Sequence, residues 1–174
     1  MTRYAAFLRG VNVGGVNLKM ADVARTLERA GFEQVKTILA SGNVLLDSSL
    51  DTASVRTTAE RALRDEFGYP AWVLVYDLPT VAAISAAYPF EREVDGHHSY
   101  VTFVSDDAVA DELAALVAEP GPHEKIARGD GVLYWQVPRS ATLTSALGKT
   151  MGKARYKSST TTRNLRTLDK VLRA

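Results

Sequence analysis

The chain has 174 residues, 46% hydrophobic and 24% charged, with no cysteine, which leaves enough apolar material for a core and excludes a disulfide framework, a thiolate metal site and a cysteine nucleophile. No apolar run approaches the ~20 residues of a membrane helix, and Met1 to Tyr4 enters a strand pattern with no signal-peptide core, so a cytoplasmic, non-membrane protein is expected. The net charge of +1 hides an asymmetry: residues 149–174 carry eight Lys or Arg against Asp169, a net +7, whereas residues 1–148 hold 13 bases and 19 acids, a net −6.

In chain order, Tyr4-Ala5-Ala6-Phe7-Leu8 reads as a buried strand. Arg9 to Asn17 is rich in Gly and Asn and reads as a loop. Met20, Val23, Ala24, Leu27 and Ala30 recur at helical spacing, and Gly31 stops that helix. Val35 to Leu39 is a strand, Ser41-Gly42-Asn43 a turn, and Val44-Leu45-Leu46 the return strand of a hairpin. Asp51 or Thr52 can cap a helix that runs to Phe67 and ends at Gly68. Ala71 to Tyr76 is a further strand. This β-α-β-β-α-β order predicts a ferredoxin-like unit with both helices on one face of an antiparallel sheet.

A connecting helix is predicted from about Thr80 to Ala87, followed by a polar linker. The pattern then restarts. Tyr100 to Val104 is a strand, Ala108 to Ala118 a helix, Pro120-Gly121-Pro122 a break and Glu124 to Arg128 a weak strand. Val132 to Val137 is a clear strand after the turn Gly129-Asp130-Gly131. A helix near Leu143–Thr150, a basic loop and a last helix from about Arg163 complete the chain. The expected fold class is therefore α+β, with two ferredoxin-like halves at 1–78 and 98–174 joined by residues 79–97. In the second half a helix stands where the fourth strand would be.

Three segments could carry chemistry. Arg9, Asn12, Gly14, Gly15 and Lys19 belong to a Gly-rich strand-to-helix loop, where backbone N–H groups can approach an anion. It lacks the Gly-Lys-Ser/Thr ending of a Walker loop and the glycine spacing of a dinucleotide fingerprint, and a tight structural turn is the plainer use of the same residues. Ser41 and Asn43 flank the hairpin turn, which this topology is expected to place at the opposite sheet end from the Gly-rich loop. Thr161, Thr162, Arg163 and Asn164 lie in a hydroxyl-rich run read as the start of the last helix, where hydroxyls and N–H donors beside Arg163 could cradle a phosphate or carboxylate. His97, His98 and His123 lack metal-ligand spacing. Tyr134 and Trp135 point to opposite sheet faces, one expected in the core and one partly exposed.

Phe7-Leu8-Arg9-Gly10-Val11-Asn12-Val13-Gly14-Gly15 with Lys19-Met20, Ala40-Ser41-Gly42-Asn43-Val44, Tyr134-Trp135, and Thr161-Thr162-Arg163-Asn164 with Thr167 together resemble an uncharacterised bacterial family, domain of unknown function 1697. The resemblance spans nearly the whole chain and implies two ferredoxin-like halves with no established activity. One departure is Leu165, where the family often has an aromatic residue.

The expectation is binding of a phosphate-bearing or other anionic ligand, a nucleotide or nucleic acid included, in a cleft bordered by Arg9, Lys19, Arg163 and Asn164. No cofactor and no metal are expected. The alternatives are a small-molecule enzyme with its site between the halves, and an interaction protein whose basic tail docks on its acidic body. A base-stacking sheet surface is disfavoured, because Tyr4 and Phe7 on the first strand have no aromatic partner in Val44-Leu45-Leu46.

Overall fold

The computed structural model describes residues 1–12, 16–117, 123–141, 145–151 and 153–174. They form two compact units, residues 1–82 with 170–174 and residues 83–169. Each contains a four-stranded antiparallel sheet of the same topology, so the fold is α+β and the two halves are ferredoxin-like.

In the first unit the strands are β1 (Thr2–Leu8), β2 (Glu33–Ile38), β3 (Asn43–Ser48) and β4 (Val73–Asp77), and the helices are α1 (Met20–Arg29) and α2 (Thr52–Phe67). The sheet order is β2-β3-β1-β4. Tyr4, Ala6, Leu8, Val44, Leu46, Val73 and Val75 pack against Val23 and Leu27 of α1 and Val55, Ala59 and Leu63 of α2. That alternation is what period-2 strands and period-3.6 helices present to a shared core. Asp51 caps α2 by accepting from the Ser54 N–H at 2.8 Å, and Gly68 closes it with φ 65°.

Pairing corrects one expectation. β3 runs antiparallel to β1, with Phe7 opposite Asn43. The end of β1 and the start of β3 therefore share one sheet end, and the two loops that leave them meet there. The Leu8 N–H donates to the Gly42 carbonyl at 2.8 Å.

The second unit repeats the order with β5 (His97–Val104), α4 (Asp107–Leu116), β6 (Lys125–Gly129), β7 (Val132–Pro138), α5 (Ala146–Met151) and β8 (Thr160–Asn164). It is preceded by α3 (Leu78–Ala86) and followed by α6 (Leu165–Arg173). The predicted break at Pro120-Gly121-Pro122 and the predicted helix residues Ala118, Leu143 and Thr144 lie outside the described residues.

The hydroxyl-rich run is a strand, not a helix start. β8 pairs with β5 from Val104–Thr160 to Tyr100–Asn164 and supplies the fourth strand missing from the sequence reading. Its three consecutive Thr are β-branched and suit a pleated surface. The linker also differs from expectation, because it covers the sheet face that carries Tyr134. The Tyr134 hydroxyl donates to the Ile84 carbonyl at 2.7 Å, and the Tyr88 hydroxyl donates to the Trp135 carbonyl at 3.0 Å. Tyr134 and Trp135 are consequently both buried.

Candidate functional site

At the C-terminal end of β1, Asn12 is the centre of the local order. It adopts φ 56°, a left-handed conformation that Asn tolerates better than most residues. Its Nδ2 donates to the Leu18 carbonyl at 2.9 Å and to the Ala40 carbonyl at 2.7 Å, while its Oδ1 accepts from the Leu18 N–H at 2.9 Å. Its own N–H donates to the Val16 carbonyl at 2.7 Å. One side chain thus ties the Gly-rich loop to the β2–β3 hairpin. Gly14 and Gly15 lie outside the described residues.

The neighbouring residues are organised in the same way. The buried Asn43 donates from Nδ2 to the Ile38 carbonyl at 2.8 Å and to the Ser41 hydroxyl at 2.9 Å. Arg9 is half-buried, and burial lowers the pKa of its guanidinium. Its N–H donates to the Trp72 carbonyl at 3.0 Å. Lys19 is exposed and starts α1 with no side-chain cap. Phe7 is fully buried, so the sheet offers no open aromatic there for a base to stack on.

In the second unit Arg163 is 6% exposed, and its Nη1 donates to the Thr161 hydroxyl and the Thr162 carbonyl, each at 2.8 Å. The Thr162 hydroxyl lies 2.8 Å from that of Thr102, which accepts from the Trp135 indole N–H at 2.9 Å. These contacts tie β8 into its own sheet. Asn164 caps α6, its Oδ1 accepting from the Arg166 N–H at 2.9 Å. Leu165, the departure from the family pattern, is buried. Of the four residues expected to share a cleft, Arg9 and Lys19 belong to the first unit and Arg163 and Asn164 to the second.

Asn164 borders a feature that no spacing rule shows. A small surface pocket is lined by Arg92, Glu93, His97, His98, Arg139, Asn164 and Arg166 among others. Topology gathers them. His97 opens β5 opposite Pro138 at the end of β7, and Asn164 ends β8 opposite Tyr100. Arg139 follows β7, with its N–H bonded to the Gly96 carbonyl at 2.9 Å. Arg92 is held by the Ser85 carbonyl at 2.8 Å and Asp169 at 2.9 Å, and Arg166 Nε lies 3.2 Å from Glu93. Arg139 is exposed and makes no ion pair among the described residues. Sequence reasoning missed this cluster because its three arginines come from three separate stretches of chain: the α3–β5 linker, the segment after β7 and the first turn of α6.

The pocket's field acts on His98. Burial first, then the charges of Arg139 and Arg166, lower its imidazole below the ordinary 6.5. The folded protein then holds this proton less tightly than the unfolded chain, so stability falls as pH drops below about 6.5. Proton NMR of the His98 ring should give a midpoint below that of an unfolded peptide. A midpoint at or above 6.5 would mean that neither burial nor the arginines disfavour the imidazolium there.

Among the described residues no helix is long and apolar enough to cross a membrane, and no group of three or more His, Cys, Asp or Glu is placed to hold a metal ion. No curated protein matches the chain. A solved structure, that of a conserved bacterial protein from Streptococcus pneumoniae, is similar over 99% of this chain and 97% of its own, with a TM-score of 0.80 and 24% identity. That likeness shows a common fold. The family of proteins of unknown function DUF1697 matches residues 1–134, both sheets' leading strands and the Gly-rich loop included, and the chain belongs to that family.

Proposed function

We propose that the protein binds a small anionic ligand, a phosphate-bearing molecule, in the basic pocket of its second unit. The observation that carries this reading is the convergence of Arg92, Arg139 and Arg166 with His97 and His98 on one pocket, where Arg139 has no acidic partner among the described residues. Arg139 carries a charge that no acid offsets among the described residues, and an oxyanion beside it and Arg166 gains charge-assisted hydrogen bonds. The start of α6 adds a smaller attraction for negative charge. Of the residues singled out in the sequence, Asn164 enters this proposal. Asn12 and Asn43 are engaged in holding their own loops.

A small ligand is favoured over nucleic acid because part of the basic tail is already paired with acids of the body. Arg155 meets Glu112 at 2.7 Å and Arg166 meets Glu93 at 3.2 Å. A strand-tracking groove needs a row of available cations instead.

Titration with inorganic phosphate, followed by calorimetry and by the His98 ring shift, tests the proposal. Binding should raise the His98 midpoint, because the added negative charge favours the imidazolium. Arg139→Ala should weaken binding by about 10- to 100-fold, the worth of a charge-assisted contact, with thermal stability nearly unchanged because the side chain is exposed. Phosphate that leaves the His98 signals unmoved would refute it.

A further inference from the structure

We infer that Glu93 is a built-in competitor for the pocket, a carboxylate seated where a ligand's anionic group binds and displaced when the ligand enters. The inference rests on the anion-binding reading above. Glu93 lines the pocket and places Oε1 3.2 Å from Arg166 Nε. It sits in the polar segment between α3 and β5, next to Arg92, whose guanidinium points instead to Ser85 and Asp169. The two acids differ in what holds their partner arginines. Arg92 is anchored by two contacts to Ser85 besides the one to Asp169. The Arg166 guanidinium has the Glu93 carboxylate as its one ion-pair partner among the described residues.

The Glu93 pair is also cheap to break. Its side chains are 64% and 71% exposed, and an ion pair so open to water contributes little. A phosphate offers three oxygens to Arg166 and to Arg139, which has no ion-pair partner among the described residues, whereas the carboxylate reaches Arg166 alone among them. The exchange therefore replaces one weak contact with several and returns Glu93 to solvent. While no ligand is present, the same carboxylate offsets the charge of Arg166. A weakly held internal anion of this kind would raise the threshold for binding, so that singly charged carboxylates fail to displace it and doubly charged phosphates succeed.

The test compares wild type with Glu93→Gln and Glu91→Gln in calorimetric titrations with inorganic phosphate and with acetate near neutral pH. Glu91 is an exposed carboxylate two residues away that does not line the pocket. Glu93→Gln should bind phosphate about two- to fivefold more tightly, the scale of one exposed ion pair, and should bring acetate binding into range. Glu91→Gln should match wild type. Wild-type phosphate binding that Glu93→Gln leaves unchanged would overturn the competitor and keep the anion site. Equal gains in both variants would also overturn it, by showing a general effect of net charge. No phosphate binding by wild type or by Glu93→Gln would overturn the anion site itself.

Discussion

Replacing Gly42 by alanine should destabilise the first unit by about 3–5 kcal/mol. Gly42 has φ 90°, a conformation that side chains rarely adopt, and an added Cβ would come within 2.8 Å of Leu8 Cβ and 2.8 Å of Val11 Cγ2. Leu8 Cβ is rooted in the central strand β1 and cannot swing aside, so backbone must move in a sheet that is buried at this point. Gly10→Ala provides the contrast. Gly10 has φ 71°, but nothing lies within 4 Å of its virtual Cβ, so only the backbone cost of about 1 kcal/mol applies. Urea unfolding followed by fluorescence and far-UV circular dichroism reads both, with Trp72 reporting on the first unit. A Gly42→Ala protein within about 1 kcal/mol of Gly10→Ala would show that the hairpin yields.

Asn12→Ala should cost about 2–4 kcal/mol through three lost hydrogen bonds and a left-handed alanine. Two further variants separate these causes. Asn12→Gly keeps the backbone conformation and loses only the side-chain bonds, so it should be the milder change. Asn12→Asp keeps the acceptor for the Leu18 N–H but turns a carboxylate oxygen toward the carbonyls of Leu18 and Ala40, and it should be at least as damaging as alanine. The same unfolding measurement decides between a clamp and a ligand contact. If Asn12 were there for a ligand, Asn12→Ala would fold normally, and the Gly-rich loop would regain the role its composition suggests.

Both effects concern segments that the sequence singled out for chemistry and that the structure uses to join two loops. Their types were legible: Gly, Asn and Ser are what positive φ and side-chain-to-backbone bonding select. The joining was not, because it depends on the end of the sheet at which each loop emerges. Antiparallel pairing of β1 with β3 settles that, through contacts between residues more than thirty positions apart. Thr160 to Asn164 went astray for a related reason. A run of hydroxyls before an apolar helix is locally a good cap, yet the run pairs with β5, and only Asn164 serves as the cap.

By itself the sequence determined the two β-α-β-β-α patterns, the stops at Gly31 and Gly68, the cap at Asp51, and hence an α+β protein of two ferredoxin-like halves. These are local properties, written in hydrophobic period and in the few residues that suit a helix end. The tertiary structure alone decided that β8 completes the second sheet, that Tyr134 is covered by the segment carrying Ile84 and Tyr88, and that Arg92, Arg139 and Arg166 line one pocket. Charge has no period. An exposed arginine is tolerated almost anywhere on a surface, so its neighbours are set by how the strands pair and where the connections between them end.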